Sequence, residues 1–151
     1  MPQVVLFQPQ IPPNTGNIAR TCAATETELH LVGPLGFEIS DRHLKRAGLD
    51  YWPYVNLHNH HSWEDFWTVK MTRSGRLIAF SVRGSDCYST FSFQEDDWLL
   101  FGRETTGLPP KIWEFCDESV YIPISQPQVR SLNLSVSVAV GLFEAKRQLF
   151  L

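Results

Sequence analysis

Residues 132–149, Leu-Asn-Leu-Ser-Val-Ser-Val-Ala-Val-Gly-Leu-Phe-Glu-Ala-Lys-Arg-Gln-Leu, decide how this chain is read. Within them Ser135-Val136-Ser137-Val138 alternates with period two, the mark of a half-exposed strand. Length and composition point the other way. The stretch has no proline and one glycine, and it ends in a run of good helix formers, so it reads as a C-terminal helix with a largely buried first half. Taken as a helix, it closes a chain in which short apolar runs alternate with helical stretches. That alternation is the pattern of an α/β protein with a mostly parallel sheet flanked by helices.

Working back from this helix, Val120–Ile122 before Pro123 reads as a strand, as do Trp98–Phe101 and Leu77–Phe80, each ending in a glycine-containing turn. Further upstream, Val55–His58, Leu29–Val32 and Val4–Phe7 give three more. The Pro-rich segment Gln8 to Asn14 reads as a loop, and a helix is expected over Gly16 to Ala24. Ser40 or Asp41 is placed to cap a helix running through Ala47, with Gly48 where a C-terminal glycine belongs. Ser62 and Asp65 resemble a capping box with Asp in place of Glu, opening a short helix whose apolar side is Trp63, Phe66 and Trp67. After Pro109 and Pro110 a brief helix carries Ile112 and Trp113.

The chain of 151 residues, 43% hydrophobic, is sized for one compact domain over 1–151, and it shows no repeat, linker or low-complexity tract. No apolar run approaches the roughly 18 residues of a membrane span, and no basic segment leads into an apolar one at the start, so a cytoplasmic protein without a membrane partner is expected. Cys22, Cys87 and Cys116 are odd in number and widely spaced, which fits free thiols. A net charge of −3 excludes binding to nucleic acid by general attraction and demands a local basic patch. Arg42, His43, Lys45 and Arg46 form the densest candidate, and they read equally well as a solvated helix face.

In an open parallel sheet, ligands bind beyond the carboxyl ends of the strands. Three loops here suit that place. Pro12-Pro13-Asn14-Thr15-Gly16-Asn17-Ile18-Ala19-Arg20 opens a helix, with Asn14 able to cap it and Arg20 offering a planar fork of donors suited to phosphate. Phe101-Gly102-Arg103-Glu104-Thr105-Thr106-Gly107-Leu108-Pro109 sets the carboxylate Glu104 between two glycines. Arg130-Ser131-Leu132-Asn133 leads into the last helix, with Ser131 and Asn133 at capping positions. Any one of these loops is structural more often than functional. Together they bring an arginine, a carboxylate and a Ser/Asn pair to one edge of the sheet. The glycine patterns of a dinucleotide site, a P-loop and a nucleophile elbow are all missing. His58, His60 and His61 lie among Asn residues without a carboxylate or cysteine at ligand spacing; they read as surface, and no metal is expected.

These three loops resemble the three motifs of the SPOUT superfamily of methyltransferases. Within it, Ile11-Pro12-Pro13-Asn14-Thr15-Gly16-Asn17 and Arg46-Ala47-Gly48-Leu49-Asp50-Tyr51 are similar to the small single-domain enzymes that 2′-O-methylate the wobble cytidine or uridine of tRNA. The resemblance runs nearly end to end. It implies an α/β fold with a C-terminal trefoil knot, S-adenosylmethionine as cofactor, the tRNA anticodon stem-loop as substrate, and a homodimer with its active sites near the interface. It further implies that Asn14, Arg20, Glu104, Ser131 and Asn133 form the catalytic set, and that Phe80, Gly102, Gly107, Ile122, Ser131 and Leu132 border the cofactor. Rival readings are 2′-O-methylation of another RNA site, a catalytically inert RNA-binding module of the same fold, and a flavodoxin-like nucleotide binder, the last incompatible with the three loops.

Overall fold

The structure is a computed structural model, and it describes residues 1–39, 42 and 50–151. The helix expected between Ser40 and Gly48 lies outside the described residues, as does most of the basic cluster; its Arg42 is described and exposed.

Among the described residues seven strands form one sheet: β1 (Gln3–Phe7), β2 (Leu29–Val32), β3 (Leu57–His60), β4 (Leu77–Phe80), β5 (Asp86–Cys87), β6 (Trp98–Phe101) and β7 (Glu118–Tyr121). Their order is β3-β2-β1-β6-β4-β7-β5 and every pairing is parallel. The chain walks outward from β1 to β3, then crosses to β4 and returns to fill the gap between β1 and β4 with β6. Strands β1, β2, β4 and β6 are buried at every residue. This explains why β4, β6 and Val4–Phe7 of β1 are written as unbroken apolar runs, with His30 the one polar residue inside β2: in a sheet covered on both faces, neither side of the pleat meets water.

Helices α1 (Pro12–Ala24) and α4 (Leu134–Phe150) cover one face, packing on Val4, Leu6, Leu31, Leu99 and Phe101. On the opposite face, Trp63 and Phe66 of α2 (Trp63–Lys70) and Ile112 of α3 (Pro110–Trp113) pack with Val5, Phe7, Trp98 and Leu100. Ser62 caps α2 as its sequence indicates, its Oγ accepting the Asp65 N–H at 3.1 Å.

Several expectations need correction. Helix α1 starts at Pro12, a turn earlier than read, because proline at the first helical position has its φ already set and lacks the N–H that would go unpaired there. Asn14 is therefore buried inside the first turn and is no cap; the N-cap is Ile11. The third strand begins two residues late, after a 3₁₀ turn at Trp52–Tyr54, and the two-residue β5 has no apolar run to announce it. Helix α4 buries one face rather than its first half. Leu134, Val138, Leu142 and Ala145 face inward, while Val136 and Phe143 are each about half exposed. A period-two pattern wound into a helix puts Val136 and Val138 on opposite sides.

Of the three histidines read as surface, His61 is exposed, and His58 and His60 are not surface residues. His60 is buried, and His58 is half-buried on the same side of the sheet as fully buried His30, its register partner across β2 and β3. Glu28, just before β2, brings a carboxylate to within 3.1 Å of His58 Nε2. Sequence spacing concealed it because it lies far along the chain, just ahead of the neighbouring strand.

Candidate active site

The strands end at one edge, and the segments that leave them there build a cleft of about 940 Å³. The chain contributes Phe80–Arg83 after β4, Phe101–Pro110 after β6, Ile122 and Ile124 after β7, and Arg130–Leu132 before α4. The volume is within the range of small-molecule sites. Phe80, Gly102, Gly107, Ile122, Ser131 and Leu132 all line it. Apolar walls from Leu108, Ile122 and Leu132 face loop backbone, and Arg83, Arg103 and Arg130 also line the cleft. Arg83 and Arg130 are exposed.

The loop after β6 is closed on itself by two backbone hydrogen bonds between Arg103 and Gly107, at 3.2 and 3.0 Å. A side chain at Gly102 would put its Cβ 2.4 Å from the Gly107 carbonyl carbon and 2.6 Å from the Leu108 nitrogen. Only glycine lets the strand end that close to its own loop. Gly107 itself has φ +68°, the left-handed conformation that glycine adopts without steric cost.

This loop is laced to the start of α1. Glu104 accepts the Gln10 N–H on Oε1 at 2.9 Å and the Ile11 N–H on Oε2 at 2.7 Å. Because Pro12 and Pro13 have no N–H, the carboxylate meets the last free backbone donors before the helix. Asn14 Nδ2 also donates to Glu104 Oε2, at 3.4 Å. Asn133 Nδ2 donates to Asn14 Oδ1 at 3.1 Å, while Asn133 Oδ1 accepts the Ser135 and Val136 N–H groups and so caps α4. A chain Glu104–Asn14–Asn133 thus ties all three loops together. Arg103 adds a second tie: its Nε (2.9 Å) and Nη2 both donate to Gln8 Oε1, and Gln8 is a non-glycine residue at φ +45°.

Of the expected catalytic set, Glu104 and Ser131 line the cleft, Asn14 and Asn133 join Glu104 behind it, and Arg20 stands apart. Ser131 caps nothing; it is exposed on the cleft wall. Glu104 holds backbone, and the Arg20 guanidinium is held instead by Tyr51, with Nη2 donating to its Oη at 2.9 Å. Gln8, Gln10 and Tyr51 went unnoticed in the sequence. For Tyr51 its place in the Arg46–Tyr51 stretch was the available signal, while nothing local marks the two glutamines.

A doubly wound parallel sheet with looped segments closing on a cleft at its carboxyl edge defines, with its structural neighbours, a class of RNA methyltransferases. One neighbour, described as "Structural insights into the 2-OH methylation of C/U34 on tRNA", superposes with TM-score 0.93 at 49% identity, covering 99% of this chain and 96% of its own. A second, "Crystal Structure of AdoMet bound rRNA methyltransferase from Sinorhizobium meliloti", has TM-score 0.89 at 27% identity over 99% of this chain and 57% of its own. A relative from Methylovorus glucosotrophus, named tRNA (cytidine(34)-2'-O)-methyltransferase, is 52% identical over 147 residues, 96% of this chain and 94% of its own. The SpoU rRNA Methylase family model matches residues 1–143, and the chain belongs to that family.

Proposed function

We propose that this protein transfers a methyl group from S-adenosylmethionine to the ribose 2′-hydroxyl of the wobble cytidine or uridine of tRNA. The observation that carries the reading is a cleft built from the loop after β6 and the segment before α4, with the start of α1 joined to both through Glu104, Asn14 and Asn133. The cleft suits the donor: apolar side chains match a nucleoside base, and the exposed loop backbone offers polar contacts to ribose and carboxylate. When bound, the donor supplies a methyl group on a sulfonium, displaced in line by the attacking oxygen.

The residues of the chain do the rest. Phe80, Gly102, Gly107, Ile122, Ser131 and Leu132 border the donor. Arg20 grips an RNA phosphate and stabilises the developing alkoxide, while the proton departs through phosphate or water, since a guanidinium does not give up its own. Glu104, with Asn14 and Asn133, fixes the loop that shapes the pocket. Arg83 and Arg130 supply the local positive charge that a chain of net charge −3 needs to meet the phosphates of an anticodon stem-loop.

Arg20 does not line the cleft of its own chain, so the reading requires a homodimer that brings the two to one ribose. Support comes from α4, where Val136, Phe143 and Phe150 recur every seventh residue and are 48%, 47% and 43% exposed, an apolar stripe suited to pairing with its like. The proposed C-terminal trefoil knot is supported by the return of α4 from β7, near one edge, to pack on α1 and β6 at the centre of the sheet. Among the described residues no helix is long and apolar enough to cross a membrane, and we place the protein in the cytoplasm with its tRNA.

Mass spectrometry of tRNA from cells lacking this protein tests the proposal. Loss of the ribose methyl at the wobble position is expected, and an unchanged pattern refutes the substrate. Titration calorimetry with S-adenosylmethionine separates the enzyme from an inert RNA-binding module, which would give no heat.

A further inference from the structure

At the amino edge of the sheet, opposite the cleft, Glu28, His30 and His58 bring three ligand atoms to within 4.8 Å of one another. Glu28 Oε1 lies 3.1 Å from His58 Nε2 and 3.6 Å from His30 Nε2. His30 is fully buried, and among the described residues its Nε2 has no hydrogen-bond partner; the Nε2 of His58, also shielded from solvent, has none there either. A buried polar atom left without a partner costs about 1–3 kcal/mol, so two of them aimed at one carboxylate call for an occupant.

We propose that Glu28, His30 and His58 form a zinc site that staples β2 to β3. The donor set, two imidazoles and one carboxylate, is one that zinc takes with a water in the fourth place. At zinc–ligand distances of 2.0–2.1 Å, tetrahedral ligand atoms stand about 3.3 Å apart, close to the two separations already present. The surroundings have the form of an outer shell. His60 Nε2 lies 3.0 Å from His30 Nδ1, and with that Nδ1 protonated and donating, His30 Nε2 presents its lone pair to the site. Arg73 holds both Glu28 oxygens, at 3.1 and 2.7 Å, fixing the carboxylate while leaving each oxygen a further lone pair. The His30 and His58 rings now lie stacked, 13° from parallel with centroids 4.5 Å apart, so both lone pairs meet one ion only after the His58 ring turns. His58, at 39% side-chain exposure, is the ligand free to do so.

The test uses the full chain, stripped of metal and titrated with Zn²⁺ against a chromophoric chelator, with Co²⁺ as spectroscopic probe. One equivalent is expected to bind, with a Co²⁺ spectrum free of thiolate charge transfer and a raised melting temperature. His60→Ala, which removes only the outer partner, should weaken binding roughly 10–100-fold, and His58→Ala at least as much. Cys87→Ser should change nothing. No saturable binding overturns the proposal. Binding that survives His58→Ala, or that Cys87→Ser abolishes, overturns it equally. Because the site is remote from the cleft, methyl transfer by His58→Ala should match that of the parent chain, so failure here leaves the proposed activity standing.

Discussion

The Arg20 guanidinium sits 4.4 Å above the centre of the Tyr51 ring and donates from Nη2 to the Tyr51 hydroxyl at 2.9 Å. Arg20 lies on the exposed side of α1, where a free arginine would sample many rotamers, and the two contacts together restrict it. Pre-ordering a planar donor fork lowers the cost of gripping a phosphate in one geometry.

Arg20→Lys should therefore keep charge and donor affinity while losing turnover by a factor on the order of 10², the scale for removing one donor to a developing oxyanion. Tyr51→Phe retains the ring and removes one hydrogen bond worth about 1 kcal/mol, so roughly fivefold is expected. Single-turnover rates at saturating RNA, alongside calorimetry of the donor, read both. Near-normal turnover in Arg20→Lys would reject the assignment.

Glu104 acts on backbone rather than on substrate in this geometry. Replacing it with Gln removes the charge from two short hydrogen bonds and turns an N–H donor toward another donor. A loss of about 2 kcal/mol is expected, or roughly 4–8 °C in melting temperature. Donor affinity should fall with it, since the same loop lines the cleft. A variant that melts like the parent would show that the Gln10 and Ile11 amides find other partners.

How much of this was legible in sequence follows from where each residue's partner lies. Leu77–Phe80 and Trp98–Phe101 were readable because burial on both faces is written into consecutive residues. Asn133 was readable as a cap because the amides it accepts are two and three residues away. Asn14 was misread because its polar partners come from Glu104 and Asn133, on loops joined to it only by the fold. Glu28 and His58 met through strand pairing, and β5 carries no apolar signal at all. The expected site residues were picked from the composition of three loops and from the resemblance, and what they touch emerged from the fold.

Two glycines in the loop after β6 should respond differently to the same change. Gly102→Ala places a methyl against backbone at 2.4 Å, which side-chain movement cannot relieve, so the loop must open. Donor binding is expected to weaken by more than about tenfold, with the remaining fold intact. At Gly107, where nothing lies within 4 Å of an added Cβ, alanine meets only the left-handed backbone cost of about 1–2 kcal/mol. Calorimetry on both variants decides it: equal losses would mean that the loop is not held against β6 as described.

His30 should make the metal-free protein acid-sensitive in a window of its own. Burial first, then the neighbouring His58 and His60, push its pKa from 6.5 to about 3. Below pH 6.5 the unfolded chain takes up a proton here that the folded chain refuses until about pH 3, so stability is full above the window and declines as pH falls through it. At pH 5 the loss from His30 alone is about 2 kcal/mol, and His60, also lowered by burial, adds to it with the same sign. Glu28 is lowered too, by its Arg73 hydrogen bond, yet from an ordinary value of 4.5, so it acts only in stronger acid. Denaturant midpoints between pH 7.5 and pH 5 therefore isolate the histidines. His30→Gln, whatever it costs at pH 7.5, should flatten that slope, and an undiminished slope would place the acid-sensitive group elsewhere than in the buried imidazole.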